Sequence, residues 1–226
     1  MPYHGAEPRI TVIAGDRHFS MCGTATSLIY EDYDPSSELT ARNAHNGMVL
    51  WRKDVPRDYM VTRSCMVATR DVLYMIDLTN DMQVACLNPQ TGERLPTLNF
   101  TAGGGHIKWI AVLSNMLYAV TGEPDPPIIG NDQPLNLPQI ELPYGWGTNI
   151  VAHDLAANTT VWTWCSGAYK IDSRTVGIAG GKFFVNVPGS CVAALDAMTG
   201  SELWRNTDPD TIALIDVSFN NYFGGW

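Results

Sequence analysis

Short apolar runs alternate with polar residues along most of this chain, and turn residues interrupt them every few positions. The clearest example is Val192–Trp204, where one apolar segment leads through Thr199-Gly200 into a second segment that ends in tryptophan. Alternation with a period of two predicts half-buried strands, and glycine supplies the positive φ that a tight turn requires. This segment is therefore predicted to be a β-hairpin.

The same hairpin motif occurs four times. Each copy has Asp or Asn four positions before a Gly or Asn, and an apolar residue three positions after it. The motif residues are Asn43, Gly47 and Trp51, then Asn88 and Gly92, then Asp154 and Trp162, then Asp196, Gly200 and Trp204. We interpret them as structural: the acid or amide caps the turn, the glycine forms it, and the tryptophan wedges between repeats. Pro96 stands at the tryptophan position of the second copy, and Ala157-Asn158 replaces Thr-Gly in the third.

A second hairpin pattern precedes each motif. Its turn pairs are Gly15-Asp16, Arg70-Asp71, Ser114-Asn115 and Gly180-Gly181. An aromatic residue occupies the same place in all four units: Phe19, Tyr74, Tyr118 and Phe184. These aromatic side chains are predicted to pack between sheets rather than to bind a ligand.

Each repeat therefore predicts four antiparallel strands. The turn positions 47, 92, 158 and 200 are 45, 66 and 42 residues apart, and periods near 45 with four short strands are typical of propeller blades. We predict an all-β fold, a single β-propeller domain over residues 1–226, with blade repeats at approximately 9–51, 60–96, 107–162 and 172–204. A proline-rich insertion over residues 122–146 accounts for the long interval, and residues 205–226 are predicted to begin a further blade or to form a tail.

Composition narrows the functional classes. The net charge is −9, so the sequence predicts no nucleic-acid partner, and no apolar run is long enough to cross a membrane. The N-terminal residues lack the basic and apolar regions of a signal peptide. The five cysteines form no CxxC pair and are interpreted as small buried strand residues, with a Cys165–Cys191 bridge as the alternative. The histidines show no metal-binding spacing, so no metal site and no catalytic residue is predicted.

The Asp-x-x-Thr-Gly-x-x-x-Trp pattern at Asp196–Trp204 resembles the repeats of quinoprotein-like, or PQQ-repeat, β-propellers. A narrower likeness, in residues 42–47, 171–174 and 204–210, is to the propeller portions of large bacterial quinoprotein-like proteins of planctomycete type. The resemblance covers nearly the whole chain. It implies rings of seven or eight blades, so four blades would be a partial or half ring, or a ring completed by a second copy.

The resemblance also bears on cofactors and compartment. It implies a periplasmic or extracytoplasmic protein, although the sequence itself leaves a cytoplasmic one open. The resemblance implies the features of the family's PQQ-dependent dehydrogenases: adjacent cysteines that form a disulfide, an Asp base, a Ca²⁺ held by Glu, Asn and Asp, and a tryptophan stacked beneath the cofactor. This sequence has no adjacent cysteines and no such set that aligns, so we expect no cofactor. Trp109, Trp146 and Trp164 could each stack on a flat ring or serve as an apolar anchor.

One polar group is a candidate ligand site. Asp172 and Arg174 precede the first strand of the last repeat, and Arg63, Lys108, Trp109 and Trp146 are predicted to share the mouth of the propeller channel with them. The functional interpretation is a site for an anion or a sugar. The alternative is structural: Asp172 pairs with Arg174, or both cap neighbouring backbone groups.

Two functions compete. The first is a non-catalytic scaffold, a protein- or ligand-binding module in a larger assembly, whose partners are other protein chains or a second copy that completes the propeller. The alternative is a degenerate fragment of a PQQ- and Ca²⁺-dependent quinoprotein dehydrogenase. Because fold does not determine function, only the site can decide between them.

Overall fold

The computed structural model describes residues 10–22, 38–54, 65–101, 103, 105–124 and 146–220. Antiparallel sheets dominate, which confirms the predicted all-β class. Most of the proline-rich insertion and of the acidic segment near residue 34 lies outside the described residues, as does Arg63.

Four sheets follow one another along the chain, and we number them as blades 1 to 4. Blade 1 comprises β1 (Ile10–Ala14), β2 (Arg17–Cys22), β3 (Glu38–Asn43) and β4 (Val49–Asp54). Blade 2 comprises β5 (Met66–Ala68), β6 (Leu73–Ile76) and β7 (Val84–Leu87). Blade 3 comprises β8 (His106–Leu113), β9 (Met116–Gly122), β11 (Asn149–Asp154) and β12 (Thr159–Cys165). Blade 4 comprises β14 (Gly177–Ala179), β15 (Lys182–Val187), β16 (Cys191–Asp196) and β17 (Glu202–Asn206).

The blades stack through their apolar faces. One cluster of buried side chains fills the junctions between blades 1 and 2 and between blades 2 and 3, and a second cluster fills the junction between blades 3 and 4. The first strands of successive blades lie side by side, β1 near β5 and β5 near β8, as they do around a propeller axis. Four blades therefore share three filled junctions within the described residues.

The hairpin that closes each blade has a turn built by its own Asp or Asn. In blade 4, Oδ1 of Asp196 accepts hydrogen bonds from the backbone N–H groups of Met198 and Thr199, each at 2.9 Å. Gly200 then adopts φ +71°, which reverses the chain. Asn43, Asn88 and Asp154 accept the equivalent pairs of bonds in the other blades. We call these four segments, 43–48, 88–93, 154–159 and 196–201, the capped turns.

Blade 2 departs from the predicted four strands. Its fourth strand is reduced to a single bridge between Leu87 and Arg94. Pro96 follows closely, and proline cannot donate a ladder hydrogen bond. Arg94 instead forms an ion pair with the buried Asp77 at the end of β6, which holds the shortened edge in place.

In the described residues after blade 4, the chain forms helix α1 (Pro209–Asn220). Residues 205–226 were predicted to begin a further blade or to form a tail, and the apolar run 212–215, which would suit a first strand, lies in this helix. Asp208 caps that helix, because its Oδ2 accepts hydrogen bonds from the backbone N–H and the hydroxyl of Thr211. Pro209 at the first helical position completes a helix-start signal that was present in the sequence and outweighs the apolar run.

Two short elements were not predicted. β10 (Trp146–Gly147) and β13 (Ile171–Asp172) pair into a two-stranded ribbon, and a 3₁₀ helix (Ser173–Thr175) follows β13. The alternative of a Cys165–Cys191 disulfide is wrong, since both residues are free thiols. Cys65, Cys86 and Cys191 are buried, as expected of small strand residues, whereas Cys165 is exposed.

Candidate functional site

The junction between blades 3 and 4 is built on one tryptophan. Trp162 at the outer strand of blade 3 lies over the capped turn of blade 4, and its indole Nε1–H donates to the carbonyl of Ala197 at 3.1 Å. A methyl group on the α-carbon of Gly200 would lie 2.6 Å from Cδ2 of Trp162, so only glycine fits beneath the ring. The glycine of one blade thus serves as the socket for the tryptophan of the preceding blade.

The junction between blades 1 and 2 repeats this geometry. The Nε1–H of Trp51 donates to the carbonyl of Pro89 at 3.1 Å, and a methyl group on Gly92 would lie 2.8 Å from Cδ2 of the same ring. Pro89 and Ala197 both directly follow the cap residue of their turns. Two junctions therefore use the same donor, the same acceptor position and the same glycine.

The middle junction is built differently. Blade 2 has no tryptophan to place on blade 3, and the socket position in blade 3 is Asn158, at φ +52°. Oδ1 of Asn158 accepts a 2.7 Å hydrogen bond from the backbone N–H of Asn99 and lies 3.1 Å from Nε2 of His153. Phe100 packs edge-on against His153, with ring centroids 5.8 Å apart. The second copy thus lacks the tryptophan and the third copy lacks the glycine at the same junction, where contacts of Asn158 and Phe100 replace both. The sequence shows this replacement only when each tryptophan position is compared with the glycine position of the following copy.

A row of side chains leads to each tryptophan across its blade. An aromatic residue, a small residue and the tryptophan lie opposite one another on adjacent strands: Phe19, Ala41 and Trp51; Tyr118, Ala152 and Trp162; Phe184, Ala194 and Trp204. The tryptophan side chain is 9% exposed at Trp162 but 44% exposed at Trp204. Trp204 keeps its contact with Phe184, at 6.5 Å between centroids, while no capped turn covers it within the described residues.

The opposite end of the described chain carries an open socket. The capped turn of blade 1 has its glycine, Gly47, at φ +73°, and no atom of the described residues lies within 4 Å of the position that a methyl group would take. Ala44, which directly follows the cap residue Asn43, is exposed, whereas Pro89 and Ala197 at the equivalent positions are buried. Within the described residues, Trp204 therefore lacks a capped turn and the 43–48 turn lacks a tryptophan.

The predicted ligand residues fall at several places. Asp172 is buried in β13, and Trp146 lies opposite it in the β10–β13 ribbon. Lys108 is buried at an irregularity of β8, between Ile107 and Trp109. Arg174 lies in the 3₁₀ helix, but its side chain is outside the described part of the chain, as is Arg63. The structure thus brings Trp146 and Asp172 together, and ligand binding by this set stays a prediction.

Two of the three tryptophans that could stack on a flat ring contact other side chains in the described structure. Trp109 packs edge-on against Phe183 of the neighbouring blade, with centroids 5.8 Å apart, and Trp164 faces the guanidinium of Arg205 at 5.9 Å. Both rings thus have protein partners. In the part of the chain that the structure describes, no group of three or more His, Cys, Asp and Glu side chains converges as metal ligands would.

Three titratable groups within the blades have pKa values that their surroundings shift. Burial lowers the pKa of His153, and its Nδ1 has no hydrogen-bond partner among the described residues, which favours a neutral ring that donates from Nε2 to Asn158. Burial works to raise the pKa of Asp77, but hydrogen bonds from Thr79 and Arg94 hold it below its ordinary value. Burial raises the pKa of the Cys86 thiol to about 11, which leaves it unreactive at neutral pH.

Similarity to solved structures identifies the fold. The quinohemoprotein alcohol dehydrogenase of Comamonas testosteroni superimposes on 89% of this chain and 35% of its own, with a TM-score of 0.59 and 13% identity. The computationally designed Ika4 protein matches 85% of this chain and 92% of its own, with a TM-score of 0.54 and 10% identity. The chain has the quinoprotein-like β-propeller fold.

The comparisons also give the share of each similar protein that this chain covers. BamB from Moraxella catarrhalis matches 87% of this chain and 47% of its own, with 15% identity and a TM-score of 0.49. The propeller chain thus spans about half the length of BamB and about a third of the dehydrogenase. No family model matches the sequence, and a search of curated proteins found no match. Among the described residues, no helix of this propeller has the length and apolar character of a membrane span.

Proposed function

We propose that this propeller is a non-catalytic scaffold, a protein-binding module that works within a larger assembly. The observation that carries the proposal is the exposed Trp204, which lies in the same row of its blade as the junction tryptophans Trp51 and Trp162 but is covered by no capped turn within the described residues. Because aromatic side chains provide much of the energy of protein interfaces, we propose that this indole is the anchor of an interaction site. The proposed partners are other protein chains or a second copy of this one.

The competing hypothesis is a degenerate PQQ- and Ca²⁺-dependent dehydrogenase fragment. We propose that no cofactor is bound, since Trp109 and Trp164 are engaged by Phe183 and Arg205 rather than facing a vacant slot. The proposed setting is extracytoplasmic. With a net charge of −9, the module is proposed to bind protein rather than nucleic acid.

Two measurements separate these hypotheses. The first titrates the purified chain with PQQ and Ca²⁺ and follows tryptophan fluorescence, where the scaffold predicts no stoichiometric uptake and the dehydrogenase predicts tight, saturable quenching. The second measures association by sedimentation for the wild-type chain and for Trp204→Ser. The scaffold predicts a defined complex, with itself or with another chain, that the variant loses. Tight PQQ uptake, or a wild-type chain that associates with nothing, would overturn the proposal.

A further inference from the structure

We infer that Trp204 of one chain binds the capped turn 43–48 of a second copy, so that two chains close one ring head to tail. This inference rests on the proposed function and names the partner of the same site. The contact we assign is the one seen within the chain: the indole ring over Gly47, and its Nε1–H donating to the carbonyl of Ala44.

The first argument is complementarity between the two ends. Trp204 lies in the same row as Phe184 and Ala194, as Trp162 does with Tyr118 and Ala152. The planes of Trp204 and Phe184 meet at 51°, and those of Trp162 and Tyr118 at 52°. The socket is equally complete. Asn43 accepts the two capping bonds from His45 and Asn46, and Gly47 has the positive φ seen in Gly92 and Gly200.

The second argument is that, among the tryptophans of these rows, high exposure is found only at Trp204 in blade 4. The residue before each tryptophan also points outward, because a β-bulge lies there in blades 1, 3 and 4. Leu50, Val161 and Leu203 are all exposed at this bulge, so the exposure of Leu203 belongs to the repeat and not to a missing partner. Trp204 alone departs from its counterparts, since Trp51 is half-buried and Trp162 is buried.

Helix α1 does not occupy this surface. It begins at Pro209, and a cleft lined by Gly189, Ser190 and Ile212 places its first turns beside the turn between β15 and β16. That turn lies at the opposite end of the blade from the capped turn 196–201. The helix therefore leaves Trp204 open to a partner.

The third argument counts blades. Propellers contain about four to eight blades, and the described residues form four. No atom of the described residues lies within 4 Å of a methyl group placed on Gly47, so the described part of the chain does not place Trp204 on its own 43–48 turn. A head-to-tail contact between copies closes a ring when the rotation per copy fits, and two sets of four blades supply the eight of the larger rings.

The test uses the full chain with two matched pairs of variants. Trp204→Ser removes the indole, and its control Leu203→Ser removes the neighbouring exposed bulge residue. Gly47→Ala places a methyl group in the socket, and its control Gly167→Ala carries the same positive-φ strain, at φ +77°, where nothing lies within 4 Å. Native mass is measured over about a hundredfold range of micromolar concentration at physiological ionic strength.

We expect a species of twice the mass of one chain for the wild type and for both controls. Trp204→Ser and Gly47→Ala should each weaken association by roughly tenfold or more, because they remove or block a central interface contact. A photo-crosslinking residue at position 204 should join the peptide that contains residues 43–48, at the mass of the dimer. A dimer that survives both variants, or a crosslink to another segment, would overturn the inference.

Other outcomes decide between related explanations. A crosslink to residues 43–48 at the mass of a single chain means that the chain closes on itself, which overturns the inference. A complex with a different protein that Trp204→Ser abolishes supports the scaffold function but overturns the second copy as the partner. A monomer that associates with nothing overturns both proposals.

Discussion

Gly92 lies directly beneath the indole of Trp51, so closely that a methyl group on its α-carbon would stand 2.8 Å from Cδ2 of the ring. The two residues belong to different blades, and their contact is repeated by Gly200 and Trp162. A glycine that forms a turn within one blade therefore also allows the tryptophan of the preceding blade to approach this closely.

The first prediction concerns this double role. Gly92→Ala should destabilise the protein by about 1 kcal/mol through its positive φ and by about 1–3 kcal/mol more through overpacking against Trp51. Gly167→Ala, with open space around it, should show the first effect alone. Chemical denaturation measures both.

A double variant tests the cause. In a Trp51→Ala background the excess cost of Gly92→Ala over Gly167→Ala should vanish, because the ring that the methyl group strikes is gone. An unchanged excess would show that the cost comes from the turn itself.

The second prediction concerns Asn158. Replacing it with glycine restores the residue found in the other three capped turns and relieves the strain of φ +52°. Even so, Asn158→Gly should destabilise the protein, by about 1 kcal/mol, because the hydrogen bonds to Asn99 and His153 are lost.

Asn158→Asp is the matched control, since it keeps the acceptor oxygen and tolerates the same backbone conformation. Its unfolding midpoint should stay close to that of the wild type. A more stable Asn158→Gly protein would contradict the replacement of the tryptophan junction described above.

The third prediction concerns a carbonyl with two donors. The hydroxyl of Tyr118, at 3.0 Å, and the indole N–H of Trp162, at 3.1 Å, both donate to the carbonyl of Ala197. Tyr118→Phe and Trp162→Phe should each be tolerated better than their combination, because either remaining donor satisfies the acceptor. The double variant should lose about 1 kcal/mol more than the sum of the single losses, as measured by equilibrium unfolding.

A second cycle serves as the control. Trp51 donates to Pro89 at another junction, so Tyr118→Phe and Trp51→Phe should be additive to within about 0.5 kcal/mol. Additivity in both cycles would mean that the shared acceptor has no energetic consequence.

The fourth prediction concerns pH. Burial holds the pKa of His153 below its ordinary value of about 6.5, so the unfolded chain binds this proton more readily than the folded one. The stability that depends on the neutral ring is present above pH 6.5 or so and is lost as the pH falls through that value toward the folded pKa. The free energy of unfolding should therefore decline between about pH 7 and 5.

His153→Gln should make this decline shallower, because the group that titrates differently in the folded and unfolded chains is then removed. Denaturant titrations at several pH values provide the measurement. An equal slope in the wild type and in His153→Gln would assign the pH dependence to other groups.

The turns and strands of each blade could be predicted from the sequence. The spacing from Asp196 to Gly200 specifies a turn whose hydrogen bonds close within five residues, and alternation specifies the strands on either side. The repetition of that unit therefore determined an all-β propeller. The helix start at Asp208-Pro209 was equally local, and it was missed because the apolar run that follows suits a strand as well as a helix.

The junctions were decided by the tertiary structure. Trp51 and Pro89 are 38 positions apart, Trp162 and Ala197 are 35, and Asn99 and Asn158 are 59. A sequence motif shows that tryptophan and glycine recur, but not that each tryptophan uses the glycine of the following blade. Only the stacking of blades brings those residues together, and within the described residues the same stacking leaves Trp204 without a capped turn and Gly47 without a tryptophan.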